Sequence, residues 1–464
     1  MTHGIKPETT MTRDYAAFVA AKRRSFVPVG FDAPPVHDSL FPHQVDCVRW
    51  AAKLGRAAIF ADTGLGKTRM QVDWARLVHE HTGRRVLILA PLAVGEQTIA
   101  EAEEMGVDAG RIGSESPVHV LNYDRLHHID PGDYAGVVLD ESSILKSYNG
   151  STRTALIEAF AETPYRLACT ATPAPNDHTE LGNHAEFLGV CSRLEMLAEY
   201  FVHDSSSSSA RGWRLKGHAR GEFWRWVATW AVVVRKPSDL GHDDGRYDLP
   251  PLRLHEHVVR AGLDLGQDTL FPVPAQTLGE QRQVRRETVT ERAQAVADLC
   301  ATGGQWLVWC ELNDESAEVA RLVPDAVEVT GSDGPEDKAA RMLAFARGEV
   351  RVLVSKPAIC GFGMNFQRCH QQAFIGLSHS YEMFYQAVRR SWRFGQRKPV
   401  DVHLVQTDMD GAIAANVRRK AEAADEMARE MVALVRGHQL ANVRGVRPGV
   451  VHAAQTPVTP PAWL

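Results

Sequence analysis

The stretch Phe60-Ala61-Asp62-Thr63-Gly64-Leu65-Gly66-Lys67-Thr68 constrains this chain more than any other. An apolar run, Ala57 to Ala61, leads into it, and a helical pattern with Met70, Trp74, Leu77 and Val78 on one face leads out. Strand, glycine turn, Lys-Thr and helix is the arrangement that wraps a polyphosphate, because the glycines let backbone N–H groups close on phosphate oxygens. Thr63, Gly64, Leu65 and Gly66 then form the cradle. Lys67 reaches the β and γ oxygens, and the Thr68 hydroxyl can hold Mg²⁺. The full eight-residue pattern begins with glycine; position 61 is alanine, which reads as the mark of a subclass rather than a defect.

Around this loop the sequence alternates short apolar runs with helical patterns, the signature of an open parallel α/β sheet. Expected strands are Val86 to Ala90, Val118 to Leu121, Gly136 to Leu139 and Arg166 to Cys169. Polar residues stand just past several of them: Asn122-Tyr123-Asp124, Asp140-Glu141-Ser142-Ser143 and Thr170-Ala171-Thr172-Pro173. That is the edge where such a sheet builds its ligand site. Upstream, Leu40-Phe41-Pro42-His43-Gln44 opens a helix, and the Gln44 amide carries the donor and acceptor needed to read an adenine edge. Upstream again, residues 11 to 24 read as a short helix with a basic end.

A second α/β series follows, with expected strands at Trp306 to Cys310, Val327 to Val329, Arg351 to Ser355, Ala373 to Ile375 and Val400 to Val405. Between the two series the pattern breaks. The run Ser205 to Ser209 is flexible in composition. From Ser205 to Leu240 stand Trp213, Trp224, Trp226 and Trp230 with seven Lys/Arg against two Asp/Glu. Basic residues interleaved with aromatics can follow a nucleic-acid backbone and stack on bases; a small helical insertion with its own tryptophan core fits equally well. Gly411 to Val435 reads as a long charged helix, and the remainder as a loose tail.

Two further groups carry chemistry. Asp140 is placed to hold Mg²⁺, and Glu141 to orient or deprotonate an attacking water. In Gln386-Ala387-Val388-Arg389-Arg390-Ser391-Trp392-Arg393-Phe394-Gly395-Gln396, the three-residue spacing puts Arg390 and Arg393 on one helical face. Two guanidiniums side by side suit a phosphoryl group whose charge is spread over its oxygens.

At 464 residues the chain is expected to hold two or more domains. The N-terminus shows no secretory signal and no apolar run reaches membrane-spanning length, so no membrane partner and a cytoplasmic location are expected. Seven cysteines without a C-x-x-C pair suggest a reducing compartment and no structural zinc. The net charge of −5 means that any nucleic acid must be held by local basic patches.

In chain order, His43-Gln44, Gly64 to Thr68, Ala90-Pro91-Leu92, Asn122-Tyr123-Asp124, Asp140 to Ser143, Thr170 to Pro173, Gly361-Phe362-Gly363-Met364-Asn365 and Gln386 to Gln396 resemble a superfamily 2 helicase. The resemblance is to the Swi/Snf-like group related to DEAD/DEAH-box proteins, and most of all to compact versions encoded by phages and prophages. It covers about residues 27 to 410. It implies two RecA-like lobes with ATP in the cleft between them, a nucleic-acid-stimulated ATPase, and boundaries at 1–36 (lead-in), 37–190 (first lobe), 191–250 (insertion), 251–410 (second lobe) and 411–464 (helix and tail). ATP and Mg²⁺ are the implied cofactors. Gln44, the loop and Gly363 would contact nucleotide, and Thr68 and Asp140 the metal. Lys67, Glu141, Gln386, Arg390 and Arg393 would act in hydrolysis, and Asn122, Thr170, Thr172 and Asn365 would couple it to the strand. The acidic motif is Asp-Glu-Ser-Ser, which departs from the RNA-helicase forms, so the implied partner is DNA, duplex or single-stranded. An RNA helicase and an ATP-dependent binding switch remain the alternatives.

Overall fold

The computed structural model describes residues 28–436, apart from 35, 92–93, 147–149, 175–176, 204–211, 260–282, 284, 361–363, 378–379, 408–415, 417, 423–424, 427 and 435. The expected helix over 11–24, the serine run 205–209, Leu92, Gly363 and the terminal tail therefore lie outside the described residues.

Short runs that are apolar on both faces become strands covered by helices on both sides. The first nine are β1 (Arg56–Ala61), β2 (Arg85–Ala90), β3 (Ala109–Arg111), β4 (Val118–Asn122), β5 (Tyr134–Asp140), β6 (Tyr165–Thr170), β7 (Phe201–His203), β8 (Trp213–Leu215) and β9 (Ala231–Val234). Seven of them form one sheet in the order β3-β4-β2-β5-β6-β1-β9, every pair parallel. Because β6 lies between β5 and β1, the carboxyl ends of these three strands stand in one row. That row carries Asp140, Thr170 and the turn into the helix Lys67–Thr82. Every residue of β5 and β6 is buried.

The second sheet has six strands: β10 (Leu252–Val259), β11 (Trp306–Trp309), β12 (Ala326–Val329), β13 (Val352–Ser355), β14 (Gln371–Phe374) and β15 (Val400–Thr407). Their order is β10-β15-β14-β11-β13-β12, again wholly parallel. The molecule is thus the expected α/β pair of parallel-sheet lobes.

Segment 191–250 differs from the reading as a separate insertion. β9 pairs in parallel with β1, Ala58 opposite Ala231 and Ala61 opposite Val234, so it completes the first sheet. The helix Arg220–Trp230 that precedes it puts Trp224, Trp226 and Trp230 at 0%, 4% and 0% exposure, inside the first lobe's core. Trp230 meets Phe60 of β1 edge-on at 6.1 Å. These three indoles have no face left for a base, and base stacking by them is ruled out in this conformation. Burial of indole surface outweighed the basic neighbours, because each ring removes a large apolar area from water. Trp213, half-buried on the β7–β8 hairpin, packs on His203 at 5.1 Å.

The described residues between 416 and 436 are helical. This helix leaves the second lobe, where Arg418 pairs with Glu256 of β10, and returns to the first. There Met431, 2% exposed, belongs to the core, Glu430 pairs with Arg220, and Asp425 accepts from Arg235 at 2.5 Å.

Candidate functional site

The turn after β1 needs two glycines for different reasons. Gly64 and Gly66 both have positive φ, +91° and +78°, a conformation costly for other residues. A Cβ on Gly66 would also fall 2.2 Å from Gln44 Nε2. The Gln44 side chain is turned under the loop: Nε2 donates to the Leu65 carbonyl at 2.9 Å, Oε1 accepts from Phe41 N–H at 2.9 Å, and the residue is 2% exposed. Lys67 starts the helix and donates from Nζ to the Ala61 carbonyl at 3.1 Å, folding back across the mouth of the loop.

Asp140 ends β5, is 4% exposed, and is oriented by Gln71 Nε2 at 2.7 Å. Burial raises its pKa against the opposing pull of Gln71, Lys67 and Arg390. Glu141 has φ +50°, the only positive φ outside glycine among the described residues. Backbone strain of this kind persists where the surroundings fix it, and concentrates at working sites. It turns the carboxylate toward Thr170, whose hydroxyl donates to Oε2 at 3.3 Å. Burial raises the Glu141 pKa too, with Lys67 opposing.

The second lobe supplies the opposite wall. The helix Tyr381–Val388 ends before the two arginines, so Arg390 and Arg393 sit in the turns beyond it and not on one helical face. The last turn tightens to three-residue bonds, with Arg390 N–H donating to Ala387 at 3.1 Å and Ser391 N–H to Val388 at 3.2 Å. Arg390 is 7% exposed; its Nη1 donates to the Met364 carbonyl and its Nε to that of Gln386, both at 3.3 Å. Burial lowers its pKa to about 10, with Glu141 and Asp140 opposing the fall. Arg393 is lowered to about 9 by burial and then by Arg390, and its Nε has no hydrogen-bond partner among the described residues.

These groups converge on one cavity of about 250 Å³, lined by Gln44, Thr63, Gly64, Gly66, Lys67, Thr68, Asp140 and Glu141 from the first lobe and by Asn365, Arg390 and Arg393 from the second. Not every expected residue joins them. Gln386 is buried one turn back and Leu65 lies beneath the loop. Thr170 is fully buried behind Glu141; its hydroxyl accepts from Thr172 N–H at 3.1 Å, and Thr172 Oγ1 is a buried orphan. Asn122 caps the turn after β4 by accepting from Asp124 N–H.

Other parts of the wall carried no local sequence signal. Phe41, Tyr247 and Phe394 line the same cavity. The lobes are also tied beside it: Asp62 accepts from Arg389 at 2.6 Å and from the Tyr385 hydroxyl, and Glu382 accepts from Ser143 at 2.6 Å and pairs with Lys146. These are tertiary pairings of residues more than 200 positions apart, which no spacing rule reveals.

Thr68 and Asp140 are hard oxygen donors in one cavity, and that set fits Mg²⁺. Among the described residues no cluster of three or more His, Cys, Asp or Glu could hold another metal. No described helix is long and apolar enough to cross a membrane, and all seven cysteines are free.

Ser142, next to the acids, shares a 3.1 Å hydrogen bond with His184 Nε2. Burial pushes His184 down from 6.5 to about 4. A depressed folded pKa means the unfolded chain binds more protons between those values, so this stability is complete above pH 6.5 and is lost on descending toward pH 4. The expected loss is about 3 kcal/mol at the acid end. Urea midpoints measured from pH 7 to pH 4 should fall, and should fall less in His184→Gln.

No family model matches the chain, and no curated protein matches it. Among solved structures, the Sulfolobus solfataricus SWI2/SNF2 ATPase core in complex with dsDNA matches at 14% identity, covering 89% of this chain and 98% of that one, with a TM-score of 0.40. A superposition that loose assigns no residue of this chain a role.

Proposed function

We propose that this chain is a Mg²⁺-dependent, nucleic-acid-stimulated ATPase of the superfamily 2 helicase kind, and that it moves along DNA. The observation that carries the reading is the single cavity in which the phosphate loop, Lys67 and two acids from one lobe face the buried Arg390 and the half-buried Arg393 from the other. Arg390 and Arg393 repel one another and are both partly desolvated, so an anion between them and Lys67 relieves all three.

In this reading, loop N–H groups and Lys67 hold the β and γ phosphates, and Thr68 and Asp140 hold Mg²⁺. The metal supplies charge neutralisation on the phosphate oxygens. Glu141, whose basicity burial raises against the opposing charges of Lys67 and Arg390, orients the water and takes its proton. Arg390 and Arg393 stabilise the charge on the transferred group. Because these groups come from separate lobes, nucleotide occupancy and lobe spacing are one coupled variable. The Asp62–Arg389 and Ser143–Glu382 contacts cross the same gap, so opening must break them. DNA as the track rests on the order of the motifs and the form of the acidic one.

The test is ATP hydrolysis at low salt, alone and with single-stranded DNA, duplex DNA or RNA, using Lys67→Ala as the blank. Stimulation strongest with duplex supports a translocase; preference for single strands or forks supports a strand-separating helicase. Preference for RNA overturns the choice of track. Absence of Lys67-dependent turnover under every condition overturns the motor.

A further inference from the structure

The helix Tyr381–Val388 carries more than the turn that ends in the two arginines. Glu382, Tyr385 and Arg389 stand at i, i+3 and i+7, the spacing that puts side chains on one helical face. All three end on the first lobe. Glu382 is buried, and it accepts from the Ser143 hydroxyl at 2.6 Å and from the Lys146 ammonium. The Tyr385 hydroxyl donates to one oxygen of Asp62, and Arg389 donates to the other at 2.6 Å. The Arg389 guanidinium is buried too, 4.3 Å from the centre of the Trp392 ring and 5.1 Å from that of Tyr385.

These contacts land beside the phosphate loop and the acid pair. Asp62 immediately precedes Thr63; its N–H donates to the Val234 carbonyl of β9 at 2.9 Å, and its carboxylate accepts from Thr63 N–H at 2.6 Å. Ser143 and Lys146 belong to the tight turn Ser142–Lys146, which follows Glu141. One helical face therefore holds the loop at one end and the acid pair at the other. The charges are reciprocal. The first lobe offers a cation, Lys146, and an anion, Asp62; the second offers an anion, Glu382, and a cation, Arg389, about 10 Å further along the helix axis. Reversing the helix would set Glu382 against Asp62 and Arg389 against Lys146, so the pattern favours one orientation and penalises the other. Arg390 follows Arg389 directly, so an error in this seating passes straight to its guanidinium.

We propose that the Glu382–Tyr385–Arg389 face seats the second lobe on the first in the register that brings Arg390 and Arg393 to the phosphate loop. Glu382 and Arg389 are then positioning residues, since neither lines the cavity that holds the loop and the acids. The inference rests on the hydrolase reading and deepens it. Misplacing a reacting group by about 1 Å costs about 100-fold in rate.

The experiment is steady-state hydrolysis of ATP with Mg²⁺, with and without DNA, by Lys146→Glu, Glu382→Lys and the double variant that exchanges the two charges. The Lys146 side chain is 40% exposed, so the exchange spares the core. Each single variant is expected to lose about 100-fold in kcat with KM little changed, and the double variant to return to within about tenfold of the parent. Glu382→Gln keeps an acceptor for Ser143 and loses the charge opposite Lys146, so it should fall between the parent and Glu382→Lys. A kcat within about tenfold of the parent in both single variants, or no recovery in the double, overturns the proposal and leaves the hydrolase standing. If the parent shows no Lys67-dependent hydrolysis, the hydrolase reading fails instead. Small-angle X-ray scattering of the same chains then decides the seating. A larger radius of gyration in both single variants that returns to the parent's in the double supports it, and equal radii in all of them refute it.

Discussion

Arg390→Ala is expected to lower kcat for ATP hydrolysis by about 10³–10⁵-fold, the range in which a phosphoryl-transfer arginine acts. The guanidinium is 7% exposed and held by the Met364 and Gln386 carbonyls. Its pKa of about 10 keeps it charged at neutral pH. Its position is therefore set before any ligand arrives, and no reorganisation is needed when charge develops on the transferred group. Nucleotide affinity should change far less than kcat, since Lys67 and the loop amides remain. Arg390→Lys should recover only part of the rate, because an ammonium cannot reproduce the planar fork. Single-turnover hydrolysis and nucleotide titration on the same variants separate the two effects. A fall in kcat of less than tenfold, with the thermal midpoint preserved, would exclude Arg390 from the chemistry.

The second large effect concerns stability. Glu315→Ala is expected to destabilise the second lobe by about 3–5 kcal/mol, the cost of leaving a buried charge without its partner. Glu315 and Arg292 are both fully buried and 2.7 Å apart. Glu315 also accepts from the N–H groups of Glu311 and Leu312 at 2.9 and 3.0 Å. Arg292 donates to Thr288 Oγ1 and to the carbonyls of Arg285 and Ile375. Removing the carboxylate strands a guanidinium at the junction of two helices and a strand end. The surface pair Arg347–Glu349, with side chains 61% and 57% exposed, is the contrast: Glu349→Ala should leave the midpoint where it was. Denaturant unfolding monitored in both variants is the measurement, and equal midpoints would refute the assignment.

Glu315 also illustrates which parts of this molecule were hidden in the sequence. In isolation it is an acid in the first turn of the helix Asn313–Leu322, the ordinary place for a solvent-facing cap. Only the fold reveals that Arg292 is aimed at it. The strands were easier: β1, β2, β5 and β13 hold unbroken apolar runs because helices cover both faces of each sheet. β10 escaped notice because it is an edge strand with polar residues throughout and with Leu254 and Val258 50% and 60% exposed. β9 was masked by the tryptophans before it, whose basic neighbours suggested a surface. At the candidate site the pattern was the same. Lys67, Thr68, Asp140, Glu141, Arg390 and Arg393 carry local signatures, and the fold brings them to one cavity. The rings of Tyr247 and Phe394, the Gln71 amide beneath Asp140 and the Asp62–Arg389 tie belong to tertiary packing. The inward turn of Gln44 is likewise set by a contact with the loop that its own neighbours in sequence do not announce.

The late pieces of the first lobe bear on how the chain is made. Its sheet is complete only when β9 has left the ribosome, and its core is closed only by Met431, supplied after all of the second sheet. Domains usually fold as units in the order of synthesis. Here the lobe translated first is the last to be finished, and it must wait with an open edge at β1 and an unfilled seat in its core while its partner emerges. A chain that stops short of Met431 would therefore show its defect at the opposite end of the sequence, in the lobe that carries the Gly64–Thr68 loop.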